Sequence, residues 1–442
     1  MATTGILRPV TALLMATAIL MMGGGLFAVA LPLRAELVGF SDVHIGLMGS
    51  AYYLGQIVGC MLAPSVIARV GHIRTFAAFS AIASVAPLIH PMSGDPFVWT
   101  ALRLVTGIAI AGVLLAIESW LSAASDQETR GRILGTYTLI HLTVMMAGMQ
   151  MIRWYAPGDF QLFSIVAVLF SLAAVPIALT TAIAPVPPKR AKLRIGWLFY
   201  ISPAAWLAAF LSGLTNGAFW MLTPVFAKDI GFSTGGIALF IATGVLAGAL
   251  TQWPVGSLSD RFGRRSFLAI TGIAASLGGV GLAITPTDNI WLMFVFVAVF
   301  GGANFPIYTL ALAHINDLVS KRRAVEVASS LLLIFSIGAV IGPLAASFAM
   351  DLFGPYALFA TTTIAHLAIT ATMTVRGRLR PQIPERHRED FVLMPRTTPA
   401  VYEMDPRADP TAEVPEPAGP DPAPIAPVEA PVADENAAAT AN

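Results

Sequence analysis

Gly256-Ser257-Leu258-Ser259-Asp260-Arg261-Phe262-Gly263-Arg264-Arg265 is a short charged turn set between two long apolar runs. Each flank is long enough to cross a bilayer core of about 30 Å, and neither has the alternation of a strand, so the turn joins two membrane helices. A weaker copy lies 192 positions earlier (263 − 71 = 192). There Ala68-Arg69-Val70-Gly71-His72-Ile73-Arg74 separates two apolar runs at the same point of the hydrophobic order, with Pro64 in the place of Gly256 and Ala68 in the place of Asp260. The chain is therefore a duplication.

Composition agrees. Of 442 residues 56% are apolar and 12% charged, with a mean hydropathy of +0.74, whereas a soluble domain carries about 25% charge. Apolar runs of spanning length fall near 10–33, 44–67, 75–93, 97–122, 132–152 and 160–184, then 199–226, 236–258, 267–285, 290–314, 325–350 and 355–375. The expected fold is an all-α polytopic membrane protein of twelve transmembrane helices in two six-helix bundles. Residues 1–184 and 199–376 would be the bundles, 185–198 a Pro-rich basic linker, and 377–442 a tail. Arg8 before an apolar run and Ala28-Val29-Ala30 have the outline of a cleavable signal. The run is kept as the first helix because its loss would leave the first half one helix short.

Lys and Arg cluster on one side, as Arg69, Arg74, Arg130, Arg132, Arg261, Arg264, Arg265, Lys321-Arg322-Arg323 and Arg376 to Arg380; the other side has Arg34, Arg153 and Lys228. By the positive-inside rule both termini are cytoplasmic. Beyond about Pro381 the chain turns to Pro, Ala, Glu and Asp and is expected to be disordered. The formal charge of +1 and the scattered basic clusters give no nucleic-acid face. Cys60 is the single cysteine, which excludes an intramolecular disulfide.

The 256–265 turn, placed between the second and third helix of a six-helix set, resembles the signature loop of the major facilitator superfamily of secondary transporters. The resemblance covers roughly residues 8–380. It implies a monomeric carrier of the bacterial inner membrane that rocks two bundles about a central cavity, driven by an ion gradient, here taken as protons. The run Tyr308 to His314 together with Ile337 to Pro343 is similar to a poorly characterised bacterial branch of that family. Arg103, Gly107 and Gly112 resemble its fourth-helix motif, in which the Arg is linked to proton coupling. Gly338-x-x-x-Gly342-Pro343 has the form of its antiporter motif but lies on the eleventh helix, so antiport is not implied.

No Ser/His/Asp set, metal-spaced cluster or phosphate-cradling Gly loop is present in the sequence, which points away from an enzyme. The informative residues are polar groups at membrane depth. Arg103 costs at least about 2.5–3.5 kcal/mol there unless paired or hydrated, so it is expected to face the interior or to snorkel. His141, about 15 Å into the fifth helix, suits proton coupling or a buried hydrogen bond to a neighbouring helix. Tyr52, Tyr53, Gln56, Asn216, Trp220 and Asn304 are candidates for substrate contact or for interhelical bonding. His366, at similar depth, lies on the last helix, which the resemblance implies is peripheral. Glu118 lies about 22 Å along the helix from Arg103 and is expected to meet the loop of Arg69, His72 and Arg74. Asp260, with Arg261, Arg264 and Arg265, forms a gate cluster, and its carboxylate is expected at the N-terminus of the fifth helix near Gly131.

Overall fold

The computed structural model describes residues 3–181, 185–187, 192–286, 289–379, 385 and 388–408, with side chains described from residue 10 onward. Parts of the expected linker, including Lys189 and Arg190, lie outside the described residues, as do Arg380 and residues 409–442 of the tail.

Among the described residues, twelve helices make up the bundle. The first half holds α1 (Thr3–Leu37), α2 (Asp42–Val70), α3 (His72–Ile89), α4 (Pro96–Ala124), α5 (Arg130–Gln150) and α6 (Phe160–Ala178). The second holds α7 (Pro203–Asp229), α8 (Thr234–Phe262), α9 (Arg264–Ile284), α10 (Ile290–Asn316), α11 (Ala324–Phe353) and α12 (Ala357–Leu379). Eleven are long and apolar enough to cross a membrane. The exception is α5, where Arg130, Arg132, Tyr137, Thr138, His141 and Thr143 interrupt the apolar run. Helix α10 breaks at Phe305, just before Pro306, whose missing N–H cannot continue the ladder.

The duplication is visible in backbone detail. Gly71 and Gly263 end α2 and α8 with φ of 84° and 107°, a left-handed region that favours glycine. Gly39 and Gly231, also 192 apart (231 − 39 = 192), end α1 and α7 with φ of 92° and 91°. Two residues on, Ser41 and Ser233 cap α2 and α8, each side chain accepting from the N–H three positions ahead, at His44 and Gly236. Gly39-Phe40-Ser41 and Gly231-Phe232-Ser233 are thus one repeated tripeptide, a second sequence mark of the duplication.

Small residues bring the helices together. A Cβ on Gly107 would lie 2.1 Å from the Tyr52 carbonyl oxygen, and one on Gly338 or Gly342 would lie 2.0 Å from a carbonyl of α7. The fourth-helix motif glycine therefore seats α4 on α2, and Gly338-x-x-x-Gly342 seats α11 on α7.

Contacts between the halves gather at the end opposite the basic turns. There Gly46 meets Ser347, Gly49 meets Met221 and Pro343, and Arg153 donates to the Gly235 carbonyl at 3.1 Å. Lys228 pairs with Glu36, a residue separated from it by the repeat interval of 192. At the basic end a different element stands between the halves: residues 388–408.

Candidate functional site

A cavity of about 260 Å³ lies between the halves. From the first half Phe27 of α1, Tyr52, Tyr53 and Gln56 of α2, Arg103 of α4 and His141 of α5 face it. Asn216 and Trp220 of α7, Gln252 of α8, Phe305 of α10 and Phe335 of α11 do so from the second. Seven of the residues singled out from the sequence, Tyr52, Tyr53, Gln56, Arg103, His141, Asn216 and Trp220, thus share one space.

The Arg103 guanidinium lies 4.0 Å from the centre of the Tyr52 ring and 5.5 Å from that of Phe27. Among the described residues no carboxylate is within ion-pair distance of it, and its buried Nε has no acceptor. Gln56 Nε2 donates to the Tyr52 hydroxyl at 3.3 Å. The His141 ring lies 6.0 Å from that of Tyr137, and its buried Nδ1 has no partner among the described residues. Asn216 spends its amide on Ser212 of its own helix, at 2.8 Å, leaving Oδ1 unpartnered.

Asn304 departs from the expectation of substrate contact. It is fully buried and does not line the cavity. Its Oδ1 accepts from Thr215 Oγ1 at 2.8 Å and lies 3.0 Å from His366 Nε2. One amide therefore ties α7, α10 and α12, and His366, expected to be peripheral, is part of that tie. Depth alone does not decide such a residue's role; the face of the helix does.

The acids at the basic end also bond residues beyond those expected. Glu118, fully buried, accepts from the Tyr137 hydroxyl at 2.5 Å and from the Thr398 hydroxyl. The loop expected to pair with it does not: His72 bonds Ser119 at 3.1 Å, and Arg69 and Arg74 are exposed. Asp260 accepts from Arg264 and from the N–H of Phe391 at 2.9 Å, in place of the N-terminus of α5. Arg264, only 3% exposed, also holds Asp317 at 3.2 Å and Ser259 at 2.8 Å and donates to the Glu389 carbonyl. Arg265 is buried beside it, whereas Arg261 is exposed and offers its carbonyl to Arg388.

Residues 388–408 are accordingly packed, not disordered as composition suggested. The Phe391 ring lies against Gly256, where an added Cβ would fall 2.2 Å from a ring carbon; this contact leaves no room for a side chain at the first position of the turn motif. Leu393 to Thr397 then enter the cavity. Arg396 sits 5.4 Å from the Phe305 ring and 5.3 Å from that of Phe335. Burial lowers its guanidinium to about 10, which leaves it protonated near neutrality. Pro399–Met404 forms a buried 3-10 turn against α4, and the Tyr402 and Tyr308 hydroxyls are 2.6 Å apart. Burial raises the Glu403 carboxyl, partly offset by a hydrogen bond from Ser122 and by Arg130. Phe391, Val392, Leu393, Met394, Val401, Tyr402 and Met404 form an apolar island inside a polar tail. Averaged over sixty residues, that island vanishes.

Residues 13–206 and 205–427 each match the Major Facilitator Superfamily. The chain is 26% identical over 338 residues to the uncharacterized MFS-type transporter YcaD of Escherichia fergusonii, covering 76% of this chain and 87% of that protein. It is 24% identical over 354 residues to the protein of that name from Salmonella newport, covering 80% and 91%. The fold is similar to the crystal structure of the nucleoside transporter NupG, with a TM-score of 0.69, 14% identity, and coverage of 83% and 98%. It is also similar to a bacterial homolog of the human lysosomal transporter Spinster in an inward-facing and occupied conformation, with a TM-score of 0.67, 16% identity, and coverage of 86% and 97%. Two repeat-related six-helix halves, a charged turn between their second and third helices and a family match over nearly the whole bundle lead to one conclusion: the chain belongs to the major facilitator superfamily.

Proposed function

We propose that this protein is a monomeric secondary active transporter of the bacterial inner membrane, moving a small molecule through the central cavity by alternating access and coupling that movement to protons. One observation carries the reading. The cavity lies between two repeat-related halves that meet at one end, through Glu36–Lys228 and the Gly46 to Ser347 contact, and are held apart at the other by residues 388–408. With the basic end cytoplasmic, as the Lys and Arg distribution favours, both termini are cytoplasmic and this state faces inward. His141 is the proton-carrying group in this reading, and Arg103 couples to it by holding the substrate.

The test needs no substrate. In a Cys60→Ser background, spin labels at Arg69 and Arg322 span the basic end; two interconverting distances are expected, and a single fixed distance overturns alternating access. Proton coupling is then checked in proteoliposomes, where an imposed pH gradient should drive accumulation and His141→Ala should abolish accumulation while sparing exchange. Equal accumulation without the gradient leaves an uncoupled facilitator.

The insertion of Leu393 to Thr397 into the cavity favours a second reading, a membrane sensor that reports cavity occupancy through its tail. Deleting the chain after residue 380 separates the two: a transporter keeps flux, and a sensor loses its output.

A further inference from the structure

We propose that the carried molecule is an organic monocarboxylate with an apolar body, its carboxylate taken by Arg103. The proposal rests on the transporter reading and adds the substrate class. Among the described residues lining the cavity, the side chains of fixed charge are Arg103 from the wall and Arg396 from the docked segment; no Asp or Glu lines it. Glu118, nearby, is already occupied by Tyr137 and Thr398. Tyr52 and Phe27 take up the π-surface around the Arg103 guanidinium, but neither accepts a hydrogen bond from its N–H groups. A guanidinium with no acceptor among the described residues, at membrane depth, is matched by a carboxylate, which it binds in a two-pronged planar contact.

The remaining walls restrict the body of the ligand. Thr106 and Thr138 spend their hydroxyls on Leu102 and Leu134 of their own helices, at 2.7 and 2.8 Å, and Asn216 spends its amide likewise. The polar groups left on the walls are Tyr53, Gln56, His141, Gln252 and the Asn216 Oδ1, a minority among apolar neighbours. Ile110, Met145, Phe170, Trp220, Phe305 and Phe335 supply an apolar and aromatic surface instead. A cation is disfavoured by Arg103, and while the segment is docked by Arg396 as well.

Full-length protein in detergent, titrated with benzoate, cyclohexylacetate and octanoate beside their amides and the corresponding primary amines, gives the test, with intrinsic tryptophan fluorescence as readout. At least one carboxylate should bind tenfold or more tighter than its amide, and the amines weakest. Arg103→Ala should erase that preference, and Arg103→Lys should restore part of it. The wild-type series decides the matter even if Arg103→Ala fails to fold. Overturning results are an amide or amine equal to every carboxylate, or an unchanged preference in folded Arg103→Ala. Either leaves the carrier standing, whereas a single spin-label distance removes the carrier whatever binds.

A separate observation supports a second inference, that residues 388–408 staple the halves in this state and must leave before they close at the basic end. The segment bonds Glu118 in the first half and Asp260, Tyr308 and Asp317 in the second, so it fills the cleft that closure would eliminate. In the Arg69/Arg322 spin-labelled protein, Phe391→Asp with Tyr402→Ala should at least double the short-distance population. Gly256→Leu, which displaces Phe391 from the helix side, should do the same. An unchanged distribution in both folded variants overturns the staple.

Discussion

The turn Val70-Gly71-His72 and the turn Phe262-Gly263-Arg264 share a backbone and differ in everything around it. Both pivot on a left-handed glycine that ends one helix and starts the next. At the first turn His72 makes one neutral bond to Ser119, and Ala68 is exposed. At the second, the residues at the same repeat positions are Arg264 and Asp260, which hold Asp317, the Glu389 carbonyl and the Phe391 N–H. A turn needs the glycine; the charge cluster is found where another segment docks.

The largest contrast is expected at the paired positions 72 and 264. Arg264→Ala leaves Asp317, whose side chain is fully buried, without its cation. Breaking such a pair costs about 3–5 kcal/mol, whereas His72→Ala loses one neutral bond, about 0.5–1.5 kcal/mol. Thermal unfolding in detergent checks both, and equal costs would break the comparison. The Asp317 carboxyl is already raised by burial and held down by Arg264. Without Arg264 the raised acid favours its protonated form, so stability is lost as pH rises through the folded-state value. The Arg264→Ala deficit should therefore shrink as pH falls from 7 toward the ordinary carboxylate range.

Next in size is Asp260→Asn. It weakens the charged bond to the Phe391 N–H by about 1.5–3 kcal/mol, which should raise proteolytic cleavage within 388–408 by roughly ten- to a hundredfold. Unchanged cleavage would detach the docked segment from the turn. Gly71→Ala and Gly263→Ala should each cost about 1–2 kcal/mol, the left-handed strain being common to both. A cost confined to one of them would deny the shared backbone requirement. The smallest effect is expected for Ala68→Asp, which restores the acid in the first turn: within about 0.5 kcal/mol in unfolding, and no change in cleavage of 388–408.

The helices and their duplication were legible because lipid demands apolar runs of one length, and a turn motif repeated at one interval gives the register. Candidate cavity residues were legible by depth, which is how Tyr52, Gln56, Arg103, His141, Asn216 and Trp220 came out together. Asn304 shows where depth stops informing: it sits at similar depth, turned toward Thr215 and His366 instead of the cavity. The distant partners of Glu118 and Asp260 were illegible for another reason. Both accept from residues more than a hundred positions away, in a segment whose apolar island is diluted by Pro, Ala and acid.

The Glu36–Lys228 pair says something about what fusing two copies into one chain permits. Residues one repeat interval apart that touch lie beside the axis relating the halves. In a dimer of two identical half-length chains each such position would face itself, and a Glu would meet a Glu or a Lys a Lys. Opposite charges there are open only to halves free to diverge, so this bond is one a self-assembled dimer of identical halves has no means of making.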